Sequence, residues 1–368
     1  MKVLHIIKSL GRGGAEMLLQ ETLKLHDKQS FDFHYMYFLP WKNQMVGGLE
    51  AAGGKVVNLP AKNNFRIMLK TGEIIRYIRN NNIELVHCHL PWAGFVGRLI
   101  HKRTGIPVIY TEHNKQERYH ILTKTMNRLT FNWQSKVIAV SGDVETSIRT
   151  WIRPRVPVQT ILNGVNTGHF VRNQVAGEPV RKQLGLSPDN VLIGTIAVFR
   201  FQKRLKEWID VFRQLHERHP HVRGCIVGDG PLKGEILRHL KEQGMEEFIS
   251  FPGLQTDVLP WLSAMDIFMM TSEFEGLPVA LLEAMSTGCA VVCTDAGGIK
   301  EVIRPGQDGF MLPVEEWKEL VKPLSQLVEN RAMIREYGEK ARQRVIESFS
   351  LRAMVGQIEE VYHQTVKH

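Results

Sequence analysis

Glu275 and Glu283 stand eight residues apart in the stretch 272–285, the part of this 368-residue sequence richest in chemistry. Pro278, between them, suits the first turn of a helix. Val279, Ala280, Leu281, Leu282, Ala284 and Met285 make that helix apolar on nearly every side, the mark of a buried element. A carboxylate in its middle, Glu283, costs several kcal/mol unless something polar meets it. A neighbouring arginine would serve. So would the diol of a ribose, because ligands of open α/β sheets bind beyond the carboxyl ends of the strands. The N–H groups of Gly276 and Leu277 at the helix start would cradle an anion. Phosphates there, with a ribose about 7–8 Å further along the helix near Glu283, make the layout of a nucleotide.

Three other sets of residues could do chemistry. Arg200, Lys203, Arg204 and Lys206 form a basic loop after the apolar run 192–198, ahead of an amphipathic helix with Trp208, Ile209, Phe212 and Leu215. Gly11, Gly13 and Gly14 follow the first apolar run, where glycine lets backbone approach a phosphate or sugar closely. Glu16 takes the last glycine position of Gly-x-Gly-x-x-Gly, so the dinucleotide fingerprint is incomplete. His89 and His113 end apolar runs, at the strand ends where ligands bind. His87, Cys88 and His89 invite a metal reading, but successive side chains on a strand face opposite ways, which is poor geometry for chelation. His87 and Cys88 are therefore read as packing residues, and Cys289 and Cys293 as buried thiols.

The elements that must position these residues alternate regularly. Apolar runs at 3–7, 33–38, 56–59, 85–88, 108–111, 137–140 and 158–162 read as strands, with amphipathic stretches such as 15–24 between them. The scheme repeats at 192–198, 225–227, 249–251, 267–270 and 290–293. Such alternation builds parallel sheets covered by helices on both faces. The polar segment 171–190, rich in Gly, Pro and charge, reads as a linker. The boundaries expected are a first domain at 1–170, a second at 171–350, and a helical tail at 351–368 that ends the second domain or crosses back to the first.

Composition narrows the class. Hydrophobic residues make up 43% and charged residues 23%, the balance of a globular chain rather than a disordered one. Four cysteines are too few for a disulfide scaffold, no apolar run is long enough to span a bilayer, and residues 1–8 are too charged for a signal peptide. The expected location is cytoplasmic. The net charge of +9 is uneven: residues 1–170 hold 23 basic and 11 acidic side chains, residues 171–368 hold 24 and 27. The first half therefore favours an anionic partner, a membrane surface or nucleic acid. Stretches 64–79 and 119–129 mix apolar with Lys and Arg residues, a pattern that can lie on an anionic bilayer or face a core with a solvated basic side.

Glu275-x7-Glu283, Gly288, Ala290-Val291-Val292 and Gly297-Gly298-x-x-Glu301 together resemble the retaining glycosyltransferases of family 4. The resemblance extends to Gly11-x-Gly13-Gly14-Ala15-Glu16, Val140-Ser141, Asn163-Gly164-Val165, Val227-Gly228-Asp229-Gly230-Pro231, and Phe251-x-Gly253 with Asp257. It implies the α/β GT-B fold: two Rossmann-like, doubly wound parallel-sheet domains facing across a cleft, acceptor on the first and nucleotide sugar on the second. Glu283 would then bind the ribose, and Glu275 would lie against the donor sugar near the reacting carbon. The segment Gly276, Leu277, Pro278 and Val279 would contact sugar and diphosphate, with Gly228 and Gly230 also at the donor site. Gly13 and Gly14 would face the donor from the first domain, and His113 would hydrogen-bond the sugar or stand beside the reaction centre.

Arg200 and Lys203 would stabilise the leaving diphosphate, where fixed cations lower the barrier most. The family usually spaces this pair five apart, whereas three separate them here; alignment on the following helix selects Lys203, with Arg204 and Lys206 as substitutes. The sequence contains no Asp-x-Asp, the motif that holds a cation on the diphosphate in transferases of another fold. The expectation is thus retaining transfer of a hexose-type sugar, with no metal and no cofactor. The donor is a nucleotide sugar, UDP favoured over GDP by the family's habit. The acceptor is a glycan or lipid-linked hydroxyl in cell-surface glycan synthesis, with the basic half associated with the inner membrane face and no nucleic-acid partner. A non-catalytic nucleotide-sugar-binding protein and a nucleotide-sugar epimerase are the alternatives on the same architecture.

Overall fold

A computed structural model of the chain describes residues 1–11 and 13–366. It divides into two units, Met1–Asn163 with Leu351–His368 (unit 1) and Gly164–Ser350 (unit 2). The segment 164–170 goes with unit 2 because the Val165 N–H donates to Phe349 O at 2.9 Å and the Ser286 hydroxyl donates to Phe170 O at 2.8 Å.

Unit 1 holds seven parallel strands: β1 (Lys2–Ile7), β2 (Asp32–Tyr37), β3 (Lys55–Asn58), β4 (Leu85–His89), β5 (Val108–Glu112), β6 (Lys136–Ala139) and β7 (Val158–Thr160). Their order in the sheet is β3-β2-β1-β4-β5-β6-β7. Unit 2 holds six more: β8 (Val191–Ile196), β9 (Val222–Val227), β10 (Ile249–Gly253), β11 (Ile267–Met270), β12 (Ala290–Thr294) and β13 (Phe310–Leu312), in the order β10-β9-β8-β11-β12-β13. Every strand pairing is parallel, and the central strands β4, β5, β11 and β12 are buried along their whole length. Continuous burial is what a sheet covered on both faces demands, and it explains why the sequence shows apolar runs rather than alternation. In both sheets the chain reverses its direction of winding at one place, between β1 and β4 and between β8 and β11. Crevices that bind ligands open at such switch points, beyond the carboxyl ends of the strands.

One face of the unit 1 sheet packs Ile67, Ile74, Val96, Ile100 and Ile148 against its strands. The other packs Leu18, Leu19 and Leu23 together with Leu351, Met354, Ile358, Val361 and Tyr362, so the closing helix Leu351–Val366 is part of the unit 1 core. The segment expected as a linker differs from that expectation. Gln174–Gln183 is a helix, capped by the Asn173 side chain, which accepts from the Ala176 N–H at 3.1 Å. Arg181 ties it to Asp266 at 3.1 Å, and Gly177 lies so close to Ser263 that a Cβ there would sit 3.0 Å from its backbone. Tertiary contacts thus hold a helix that its Gly, Pro and charge content argue against. Among the described residues no helix is long and apolar enough to cross a membrane.

Candidate active site

Neighbouring strands β8 and β11 deliver the two charged loops of unit 2 to one place. The Lys203 ammonium donates to Glu275 Oε1 at 2.6 Å, and the Ser272 hydroxyl donates to the same oxygen at 2.6 Å. Hydrogen bonds to backbone carbonyls zip the loops together: the Glu273 N–H donates to Gln202 O at 2.8 Å, and the Thr271 hydroxyl donates to Arg204 O at 2.9 Å. Both partners are largely shielded, with Lys203 and Glu275 side chains 18% and 12% exposed. A shielded pair of this kind is a fixed dipole, and its energy is sensitive to any anion that competes for the ammonium.

The choice among the basic residues of this loop follows from the geometry. Arg204, in the left-handed region at φ 48°, turns away to Glu207 (3.0 Å) and Val314 O (3.2 Å) and stacks on Trp317. Lys206 pairs with Glu235 on the surface at 3.1 Å. Neither can substitute for Lys203 beside Glu275. Arg200 is exposed, and among the described residues its guanidinium has no partner.

Gly228 and Gly230 act on this loop through packing. A Cβ on Gly228, at φ +133°, would lie 1.9 Å from Ala197 O, and one on Gly230 would lie 2.6 Å from the Phe199 N. The Phe199 N–H also donates to Asp229 O at 2.9 Å. The two glycines therefore let the end of β9 rest against the backbone that leads into Arg200, a role the glycine motif did not reveal. Gly297, at φ +67°, does the same for Glu275: a Cβ there would stand 2.1 Å from the Glu275 carbonyl oxygen.

The helix after Glu275 runs Val279–Ser286 with Pro278 as its extended N-cap, one residue outside the expected first turn. Pro278 has no N–H to offer, so it shapes the turn while Gly276, Leu277 and Val279 carry the amides. The first N–H groups of a helix have no carbonyl within it to bond. Glu283 lies on this helix and is 6% exposed.

Unit 1 carries the remaining candidates. Gly13 caps the helix Gly14–Leu25 directly beyond β1, with Gly14 its first residue. His113 follows β5; its Nε2 is buried without a hydrogen-bond partner, and burial pushes its pKa down to about 4. It is thus a neutral imidazole near neutrality. Glu112, not singled out from sequence, positions it. The Glu112 carboxylate is fully buried, accepts the His113 N–H at 3.0 Å, and takes further bonds from Tyr110, Gln116 and Tyr119. Burial raises its pKa, and those donors hold it down.

At 87–89 the structure differs from the expectation of poor chelating geometry. Cys88 does face away from its neighbours, but His87 and His89 are two apart and share a face of β4. β1 adds His5, directly opposite His87 in the parallel register. The four cysteines are buried thiols, and burial raises the pKa of each: Cys289 to about 11, Cys88 and Cys225 to about 12, Cys293 higher still.

Comparison with known proteins gives this architecture its family. The model of "Glycosyltransferase Family 4" matches residues 12–169, and that of "Glycosyl transferases group 1" matches residues 178–344. The chain is similar to N-acetyl-alpha-D-glucosaminyl L-malate synthase of Bacillus anthracis, 28% identical over 78% of this chain and 77% of that protein. It is also similar to the UDP-Gal:alpha-D-GlcNAc-diphosphoundecaprenol alpha-1,3-galactosyltransferase of Escherichia coli, 21% identical over 78% of this chain and 77% of that one. The crystal structure of Anabaena Alr3699/HepE in complex with UDP and glucose superposes with a TM-score of 0.89 at 21% identity, covering 99% of this chain and 100% of that one. The chain belongs to the family-4 type of glycosyltransferases and has the GT-B fold.

Proposed function

We propose that this glycosyltransferase moves a hexose-type sugar from a UDP-sugar to a hydroxyl of a glycan or lipid-linked acceptor, with retained anomeric configuration and no metal on the diphosphate. The observation that carries this reading is the Lys203–Glu275 pair, held by Ser272 at the switch point of unit 2 with Glu283 buried on the helix that follows. As the glycosidic bond breaks, the diphosphate gains negative charge. Arg200, Lys203 and the amides around Gly276 and Val279 are the groups that meet it, with Glu275 as the alternative partner that holds Lys203 in place. Glu283 grips the ribose hydroxyls. The acceptor hydroxyl attacks the face from which the nucleotide departs, and the departing phosphate oxygen takes its proton. No cofactor is needed for these steps.

The relatives favour uridine: UDP with glucose in the Anabaena structure, and UDP-Gal in the E. coli enzyme, whose acceptor is a lipid diphosphate. The test is transfer from UDP-glucose, UDP-galactose and UDP-N-acetylglucosamine without added divalent ions, with the product's anomeric protons read by NMR. An α-linked product, and a Lys203→Ala variant slowed about 100-fold or more with little change in donor affinity, are expected. A β-linked product or an absolute need for Mg2+ contradicts the reading. Equal losses in turnover and donor affinity would reassign Lys203 to ground-state binding.

The same proposal places unit 1 against an anionic membrane at the cytoplasmic face. Supporting it, Phe65, Ile121 and Leu129 are 70%, 72% and 71% exposed, and Arg66, Lys70, Lys124 and Arg128 lie among them. The helices that carry them, Asn64–Leu69 and Ile121–Thr130, both pack on the helix Pro91–Thr104, so they belong to one region of unit 1. Sedimentation with phosphatidylglycerol vesicles but not with phosphatidylcholine vesicles is expected. Equal recovery in both supernatants would sink this part.

A further inference from the structure

We propose that His5, His87 and His89 form a nitrogen-donor site for a divalent transition-metal ion of the zinc class, inside unit 1. The site needs nothing from the transferase reading; it follows from strand geometry. The parallel register sets His5 against His87 and Ile7 against His89, and alternation then turns all three imidazoles to the same face of the sheet. One ligand nitrogen from each lies within 4.8 Å of the other two, and the residues are 3%, 2% and 6% exposed.

The spacing suits a small ion. Zinc–nitrogen bonds of about 2.0–2.1 Å set the donors of a tetrahedral site roughly 3.4 Å apart. His5 Nδ1 and His89 Nε2 stand 3.0 Å apart, so that pair opens slightly while His87 draws in. The rings of His5 and His87 are 5.0 Å apart and those of His87 and His89 are 4.2 Å apart. Beside them is a cavity of about 30 Å³, lined also by Thr111, His113 and Tyr362 and by no carboxylate. Imidazoles without carboxylates select zinc, copper, nickel or cobalt and reject the hard cations magnesium and calcium.

The outer partners of a metal site are present as well. His87 Nδ1 lies 2.7 Å from the Tyr362 hydroxyl and His87 Nε2 lies 2.7 Å from the Thr111 hydroxyl, so whichever nitrogen ligates, the other is held. His113, whose ring is 5.8 Å from that of His89, stands outside the three-histidine cluster, so the fourth position is left to water. An ion bound by the three imidazoles would cross-link β1 to β4 at the switch point and, through Tyr362, would tie the closing helix to both.

The test uses the full chain, stripped with dipicolinate and titrated with Co2+. One equivalent with the intense visible bands of nitrogen-ligated cobalt, bleached by Zn2+, is expected. The bands should vanish in His5→Gln and His89→Gln and persist in His120→Gln, an exposed histidine of the same unit. Far-ultraviolet circular dichroism confirms that each variant is folded. X-ray absorption fine structure of the wild-type zinc form needs no variant, and three or more imidazole ligands are expected there. Absence of the bands in the wild type, their survival in both cavity variants, or fewer than three imidazoles would each overturn the site and leave a network of hydrogen-bonded neutral histidines.

Discussion

Unit 1 buries His5, His26, His34, His87 and His89, whereas His216 is the one buried histidine among the described residues of unit 2. The imidazoles of His5, His87 and His89 meet one another, Thr111 and Tyr362 rather than carboxylates. Unit 2 carries ion pairs instead of a histidine cluster: Lys203 with Glu275, Arg181 with Asp266, and the half-exposed Arg304 with the buried Asp308 at 2.6 Å. The two sheets share their winding but differ in what they gather: clustered histidines in unit 1, where Arg98 and Glu112 are also buried, and a Lys–Glu pair between β8 and β11 in unit 2. Neutral donors and acceptors suit a partner rich in hydroxyls, and fixed cations suit a diphosphate. The contrast lies in side chains, since the backbone winding is shared.

Acid breaks this comparison most visibly. Burial pushes His87 down to about 3 and His113 down to about 4, against an ordinary value near 6.5. Between pH 6.5 and those values the unfolded chain binds protons that the folded unit 1 refuses, so stability is full above pH 6.5 and falls as the pH drops through that window. Glu112, raised by burial, titrates in the opposite sense and offsets part of the loss. Hydrogen exchange, corrected for intrinsic rates and compared at pH 7.5 and 5.0, should show β1 and β4 losing protection. The smaller expected change is in β8 and β11, which contain no histidine. Equal loss in both sheets would show that the buried histidines do not govern the acid response.

The alternation of apolar runs and helical patterns was enough to reveal the parallel sheets, because strands buried on both faces must be apolar throughout. The helix Gln174–Gln183 escaped because its stability comes from the Asn173 cap and from Arg181 reaching Asp266, contacts distant in sequence. Glu275, Glu283 and Lys203 could be picked out singly, by spacing and by resemblance. That Lys203 and Ser272 share one oxygen of Glu275 could not, since it depends on β8 and β11 being neighbours. The His5 contribution was hidden for the same reason: only the β1–β4 register sets it beside His87. His87 and His89 share a face because they stand two apart on β4, a relation that comparing adjacent residues does not show.

The most direct test of the unit 2 site is a thermal-shift titration of the wild type and of Glu283→Ala with UDP, GDP and ADP. The account predicts that UDP raises the melting temperature of the wild type, that GDP and ADP do so less, and that Glu283→Ala removes the UDP shift while the unliganded protein remains folded. A wild-type protein that no nucleotide stabilises, or a Glu283→Ala variant that UDP stabilises as well as the wild type, would contradict it.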